Sequence, residues 1–191
     1  MTKVKFYPTI WQTVPYTFEV MDQWDAEGHL KKDLVLKNIQ ATKQRLSEMN
    51  LNITQLSAID SNGQEHPLED FPKVSLNIKG LHTGHFLRSK SAIKLAPGTY
   101  TAFRFYLDRT GNSFVSTDKS VRSVTRYAHL DFEIENGLEI QGNEAPEVIL
   151  RFDFVPYDLP VLFQKIGQFY KNSRSFMVRL VQSMEHERVK I

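Results

Sequence analysis

Apolar and polar residues alternate with a period of two along most of this chain, the signature of strands with one face in water. Val74, Leu76 and Ile78 alternate with Ser75, Asn77 and Lys79. Thr101, Phe103, Phe105 and Leu107 share one face, and Tyr100, Ala102, Arg104 and Tyr106 share the other. Leu130, Phe132 and Ile134 oppose Asp131, Glu133 and Glu135, and Val148, Leu150, Phe152 and Phe154 form a further face. Burying Phe103, Phe105 and Leu107 contributes about 1.5–3 kcal/mol each. Their face is therefore expected inward, with Arg104 on the wet side and its aliphatic stem along two tyrosines.

Turn chemistry punctuates these runs. Pro97-Gly98 and the stretch from Asp108 to Asn112 bracket the Arg104 strand. The stretch from Asp60 to Gln64 holds Asn62-Gly63, which accepts positive φ cheaply and predicts a hairpin after the strand region 51–59. Short strands at this spacing predict an antiparallel β-sandwich. Near the start, Val4, Phe6 and Ile10 sit around Pro8, while Tyr16, Phe18 and Val20 follow Pro15, which suits edge or first strands. The stretch from Ser113 to Tyr127 is polar and carries no clear period.

The period changes twice. Val35, Ile39, Thr42, Leu46 and Met49 recur at helical spacing, predicting a helix over 34–48 with Asp33 as N-cap. Leu159, Leu162, Phe163, Ile166 and Phe169 step helically after Asp158, with Pro160 in the first turn. Phe176, Leu180 and Met184 fit a helix too, although the apolar run there also fits a strand. The reading is a mainly β domain over 1–157 followed by a partly helical extension over 158–191, with no internal repeat.

Composition narrows the function classes. A chain of 191 residues suits one domain with decoration, and at this size it buries roughly 70% of its unfolded surface. Hydrophobic content of 41% and aromatic content of 12% exclude a disordered chain. A net charge of +2, from 24 basic and 22 acidic residues, is too even to mark a nucleic-acid binder. The absence of cysteine excludes disulfides, thiolate metal sites and a Cys nucleophile. No apolar run approaches the ~20 residues of a membrane-spanning helix, and the first twelve residues lack the apolar stretch of a signal peptide.

Candidate chemistry is sparse. His82 and His85 lie three apart, but His66 and His129 give no recognised third-ligand spacing, so no metal and no cofactor is expected. The stretch from Asp60 to Asp70 lacks the ligand spacing of an EF-hand. Asp131 and Glu133 project from one strand face, as a glycosidase pair does, yet the same alternation marks any half-exposed strand. Neither a Gly-x-Ser-x-Gly elbow nor a phosphate loop is present. Lys119, Arg122 and Arg126 with Tyr127 suit an anionic polymer, though ordinary surface charge is favoured. Trp11, Trp24, Tyr7 and Tyr16 gather near the N-terminus, where core filling is favoured over stacking on a sugar or partner.

Leu76, Gly84, Leu95, Gly98-Thr99-Tyr100-Thr101, Arg104 and Phe105 carry a further signal. In this order they resemble a family of bacterial domains of unknown function found in secreted proteins and lipoproteins. That family's pattern closes on Asp-Phe-Asp, where this chain reads Phe152-Asp153-Phe154. The resemblance covers residues 49–154 and implies a prealbumin-like or immunoglobulin-like sandwich. It also implies a non-enzymatic role in the cell envelope or outside the cell, with a lipid anchor or signal upstream of residue 1 removed; the alternative address is cytoplasmic. The expected partner is a glycan or another envelope protein, not nucleic acid. Two competing functions are a carbohydrate-binding or adhesin-like domain using Trp11, Trp24 and Tyr106, and a glycoside-acting enzyme using Asp131 or Glu133.

Overall fold

The structure is a computed structural model, which describes residues 5–10, 30–69, 71–89 and 91–158. The expected strand through Tyr16, Phe18 and Val20 and the expected helices beyond Asp158 lie outside the described residues. The chain divides into two compact units, Met1–Pro156 and Tyr157–Ile191. The first unit is mainly β, built on one sheet that curls into a half-barrel.

Its strands are β1 (Phe6–Ile10), β2 (Lys31–Lys37), β3 (Leu46–Asp60), β4 (Glu65–Pro67), β5 (Val74–Lys79), β6 (His85–Ser89), β7 (Gly98–Leu107), β8 (Asn112–Ser116), β9 (Val121–Val124), β10 (His129–Ile140) and β11 (Glu147–Phe152). They run in the order β1-β6-β11-β2-β10-β7-β3-β8-β9, with β4 and β5 also paired to β3. The 15-residue β3 organises one half. It takes β7 and β8 end to end along one edge, and β4 and β5 along the other. One pairing departs from the expected antiparallel arrangement: β11 lies parallel to β2, from Glu147 opposite Lys31 to Phe152 opposite Leu36, so the sheet is mixed.

The inward faces follow the alternation. Phe103, Phe105 and Leu107 are buried, as are Leu130, Phe132 and Ile134, Leu76 and Ile78, and Val148, Leu150, Phe152 and Phe154. Phe105, Phe132 and Phe152 meet at the centre: the first two rings lie 4.7 Å apart, and Phe152 packs edge-on to Phe132 at 5.4 Å. The alternation shifts within β3, between Ile53 and Leu56, and again at the start of β7. Between Ala102 and Tyr100 the strand advances two residues while β3 advances only from Ile59 to Asp60. This bulge turns Tyr100 into the core and leaves Thr101 exposed, reversing the expected faces of both. The buried Tyr100 hydroxyl donates to the Ala96 carbonyl at 2.9 Å.

The expected helix over 34–48 is corrected. Residues 31–37 form β2, and only Ile39–Lys43 is helical, as α1. Leu34 and Leu36 carry a period-two signal that buries both against the sheet, whereas Ile39 on the supposed helical stripe is 61% exposed. Asp33 is a strand residue. The true N-cap is Asn38, whose side-chain oxygen accepts from the Gln40 and Ala41 N–H groups at 3.0 Å each. Its amide also donates to the Asp131 carbonyl at 2.8 Å, tying α1 to β10. Arg45, at φ +50°, ends the helix and lets β3 begin.

Candidate functional site

The densest polar constellation lies on the outer face of β4, β7 and β10, around Arg104. Antiparallel register puts Arg104 opposite Asp131, and their side chains join in a bidentate pair, Nε donating to Oδ1 at 2.7 Å and Nη2 to Oδ2 at 2.8 Å. The remaining terminal nitrogen, Nη1, donates to Glu65 at 3.1 Å. Tyr106, two residues along β7, donates its hydroxyl to the same Glu65 carboxylate at 2.8 Å, and its ring meets that of His129 at 5.8 Å. Arg104 therefore lies on the wet side as its position in the alternation predicts. It is nevertheless no free bystander, because both ends of its guanidinium are engaged.

This geometry fixes the protonation states. The Arg104 hydrogen bonds hold the Asp131 carboxyl below the usual carboxylate range, against burial that pushes it up. Burial likewise works to raise Glu65, but the bonds from Tyr106 and Arg104 outweigh it and leave Glu65 lowered. Accepting carboxylates in turn raise their donors: Glu65 raises the Tyr106 hydroxyl, and Asp131 raises Arg104. A glycosidase needs one carboxyl raised to act as acid beside one held ionised. Here Asp131 and Glu65 are both held ionised. Glu133, the other strand acid of the expected pair, stands opposite Ala102 and Lys37, and Lys37 gives its ammonium to Glu135 at 2.8 Å.

The other sequence candidates fall apart or change meaning. Trp11 and Trp24 lie outside the described residues, so of the expected aromatic platform only Tyr106 is placed. His82 and His85 flank the end of the single 3-10 turn between β5 and β6 (Leu81–Thr83), and they address different neighbours. His82 sits over Gly80, where burial lowers its pKa against a bond to the Phe154 backbone. His85 Nδ1 lies 3.0 Å from the Thr83 hydroxyl. Among the described residues no three His, Asp or Glu side chains gather to hold a metal ion. The stretch from Asp60 to Gln64 is the expected hairpin turn. Asp60 Oδ1 accepts from the Asn62 and Gln64 N–H groups at 2.8 Å each, Oδ2 lies 3.1 Å from His66, and Gly63 adopts φ +80°.

The polar stretch after β7 resolves into the β8–β9 hairpin, and it brings the basic residues to an aromatic. Arg126 lies over the Tyr127 ring at 4.7 Å, and Tyr127 stacks on the buried Phe114 at 5.9 Å. The Tyr127 hydroxyl donates to Gln40 at 3.0 Å and accepts from Gln44 at 3.2 Å, while Arg122 donates to the Gln44 side-chain oxygen. Sequence reasoning named Arg122, Arg126 and Tyr127 but missed Gln40 and Gln44, which were assigned to a longer helix. It missed Glu65 as well, although the Asn62-Gly63 turn fixes the register that sets Glu65 beside Ile59 and within reach of Arg104. Among the described residues, open depressions of about 230 Å³ lie beside Asn52, Lys73 and Asp108 and of about 210 Å³ along Arg122–Arg126. Enclosed small-molecule sites usually span about 300–1,000 Å³.

Comparison with family models, with curated proteins and with solved structures finds no match to this chain.

Proposed function

We propose that the chain is a non-enzymatic binding or scaffold module of the bacterial cell envelope or secreted space. Its half-barrel is then part of a prealbumin-like or immunoglobulin-like sandwich. The observation that carries the reading is the closed Arg104 cluster. The side chains best placed for chemistry are spent on one another, with Asp131 and Glu65 both ionised and both bonded to the same guanidinium. The open depressions beside Asn52 and along Arg122–Arg126 agree with it, because shallow sheet surface suits a macromolecular partner better than a buried small substrate. The envelope address rests on the resemblance through Gly98-Thr99-Tyr100-Thr101 and Arg104, whose residues begin β7.

The test pairs an activity screen with a binding screen. The purified chain is expected to leave a panel of chromogenic glycosides unhydrolysed and to bind saturably to an isolated envelope fraction. Hydrolysis that disappears in the D131N/E133Q double variant overturns the reading. A glycan-array hit accompanied by a change in Trp fluorescence identifies the partner as a glycan and selects the carbohydrate-binding form.

A further inference from the structure

Strand β9 closes the sheet order at one end, and among the described residues no strand lies along its outer edge. Ser116 donates its N–H to the Ser120 carbonyl at 2.9 Å, and the register places Phe114 opposite Arg122 and Ser113 opposite Ser123. Hydrogen-bonded and non-hydrogen-bonded pairs alternate in an antiparallel ladder. The N–H and C=O groups of Val121 and Ser123 therefore point away from β8, toward the open edge. Val121 is 66% exposed, the most exposed large apolar side chain among the described residues. An open groove of about 210 Å³ follows the backbone from Arg122 to Arg126.

The charge along this edge is unlike that of the outer face. Arg88, Arg104 and Arg151 each bond a carboxylate, from Glu147, Asp131 and Asp33. Arg122 and Arg126 bond only neutral oxygens, on Gln44 and Tyr127. Arg122 lies on β9, and Arg126 follows two residues past the strand's end at Val124. Natural edge strands are usually blunted by proline, an inward charge or a covering loop. Among the described residues, this one instead offers two outward backbone positions beside two cations that bond no carboxylate.

We propose that β9 is a docking edge for an extended acidic peptide segment of a partner protein. The segment adds a strand through the Val121 and Ser123 backbone and sets acidic residues against Arg122 and, just past the strand's end, Arg126. This deepens the binding-module reading and rests on it. Backbone pairing supplies affinity, and the acidic charge supplies selectivity.

A fluorescein-labelled nine-residue peptide of alternating threonine and valine, with glutamates at its third and seventh positions, tests it by anisotropy on the full chain. The control replaces both glutamates with glutamine, which removes the charge and keeps the shape. Binding should weaken at least about tenfold with the control, in the R122E/R126E variant and in S123P. Because the Ser123 N–H faces outward, S123P should melt like the wild type. In the wild-type chain, hydrogen exchange should slow at the Val121 and Ser123 amides when the peptide is present. Absent binding, equal binding of the control, undiminished binding by S123P, or tighter S123P-insensitive binding of a twenty-residue oligothymidine each overturns the docking edge. Failure here with no glycosidase turnover leaves the wider binding-module reading standing. Turnover that depends on Asp131 and Glu133 removes that reading by itself.

Discussion

At the scale of single residues, the decisive comparison is between Arg104 and its neighbour Phe105. Arg104 makes bonds to two carboxylates, yet the pairs sit on a wet face where Asp131 remains 43% exposed. Exposed pairs of good geometry are worth about 1 kcal/mol or less. Phe105 is 2% exposed and packs against Phe132 and Phe152, and truncating such a ring costs about 3–5 kcal/mol. Urea unfolding should therefore show Arg104→Met losing about 1 kcal/mol, and Phe105→Ala losing several times more. The cluster also has a pH signature. Asp131 and Glu65 both titrate below their ordinary values in the folded chain. Their contribution is fully present above the unfolded carboxylate pKa, about 4, and is lost as pH falls through the depressed folded values. Melting temperature followed below about pH 4 should decline less steeply in Asp131→Asn than in the wild type, and an identical slope would remove the cluster's linkage.

At the scale of elements, a second residue substitutes for a missing strand. Strands β7 and β8 are collinear along β3, interrupted by the loop from Asp108 to Gly111. Asn112 fills the gap: its side-chain oxygen accepts the Asn52 N–H at 2.8 Å, and its amide donates to the Asp108 carbonyl at 2.7 Å. Asn112 is 3% exposed, and Asn112→Ala removes the partner of the part-buried Asn52 N–H and of the Asp108 carbonyl while emptying a buried polar site. The expected loss is about 1–3 kcal/mol in chemical denaturation, with faster hydrogen exchange at the Asn52 amide. Strands β5, β10 and β11 were legible because each keeps a continuous run of inward apolar residues. Residues 34–48 were not, because Leu34 and Leu36 at period two overlap Val35 and Ile39 at helical spacing, and only sheet pairing chooses between them. The Tyr100 face was hidden for a related reason: a one-residue bulge leaves no mark in composition. Within the candidate site, Arg104 and Asp131 could be read from their own strands, whereas Glu65 required the hairpin register.

At the scale of the whole molecule, the sheet is held by partners remote in sequence. Arg151 of β11 reaches Asp33 of β2 across 118 positions, and β11 also pairs with β6. Such topology folds on the ms-to-s scale rather than in microseconds, which stopped-flow fluorescence measures. The division after Pro156 gives a matching expectation. A chain ending at Tyr157 should unfold cooperatively, because Val155 still bonds Leu46 and Ser47. One ending at Glu144 lacks β11 and should lose near-UV dichroism. The position of β11 carries a last consequence. While the protein is being made, β2 and β6 emerge from the ribosome long before the strand that sits between them. Until residue 152 is out, the nascent chain presents two open strand edges, the kind of surface that holding chaperones cover.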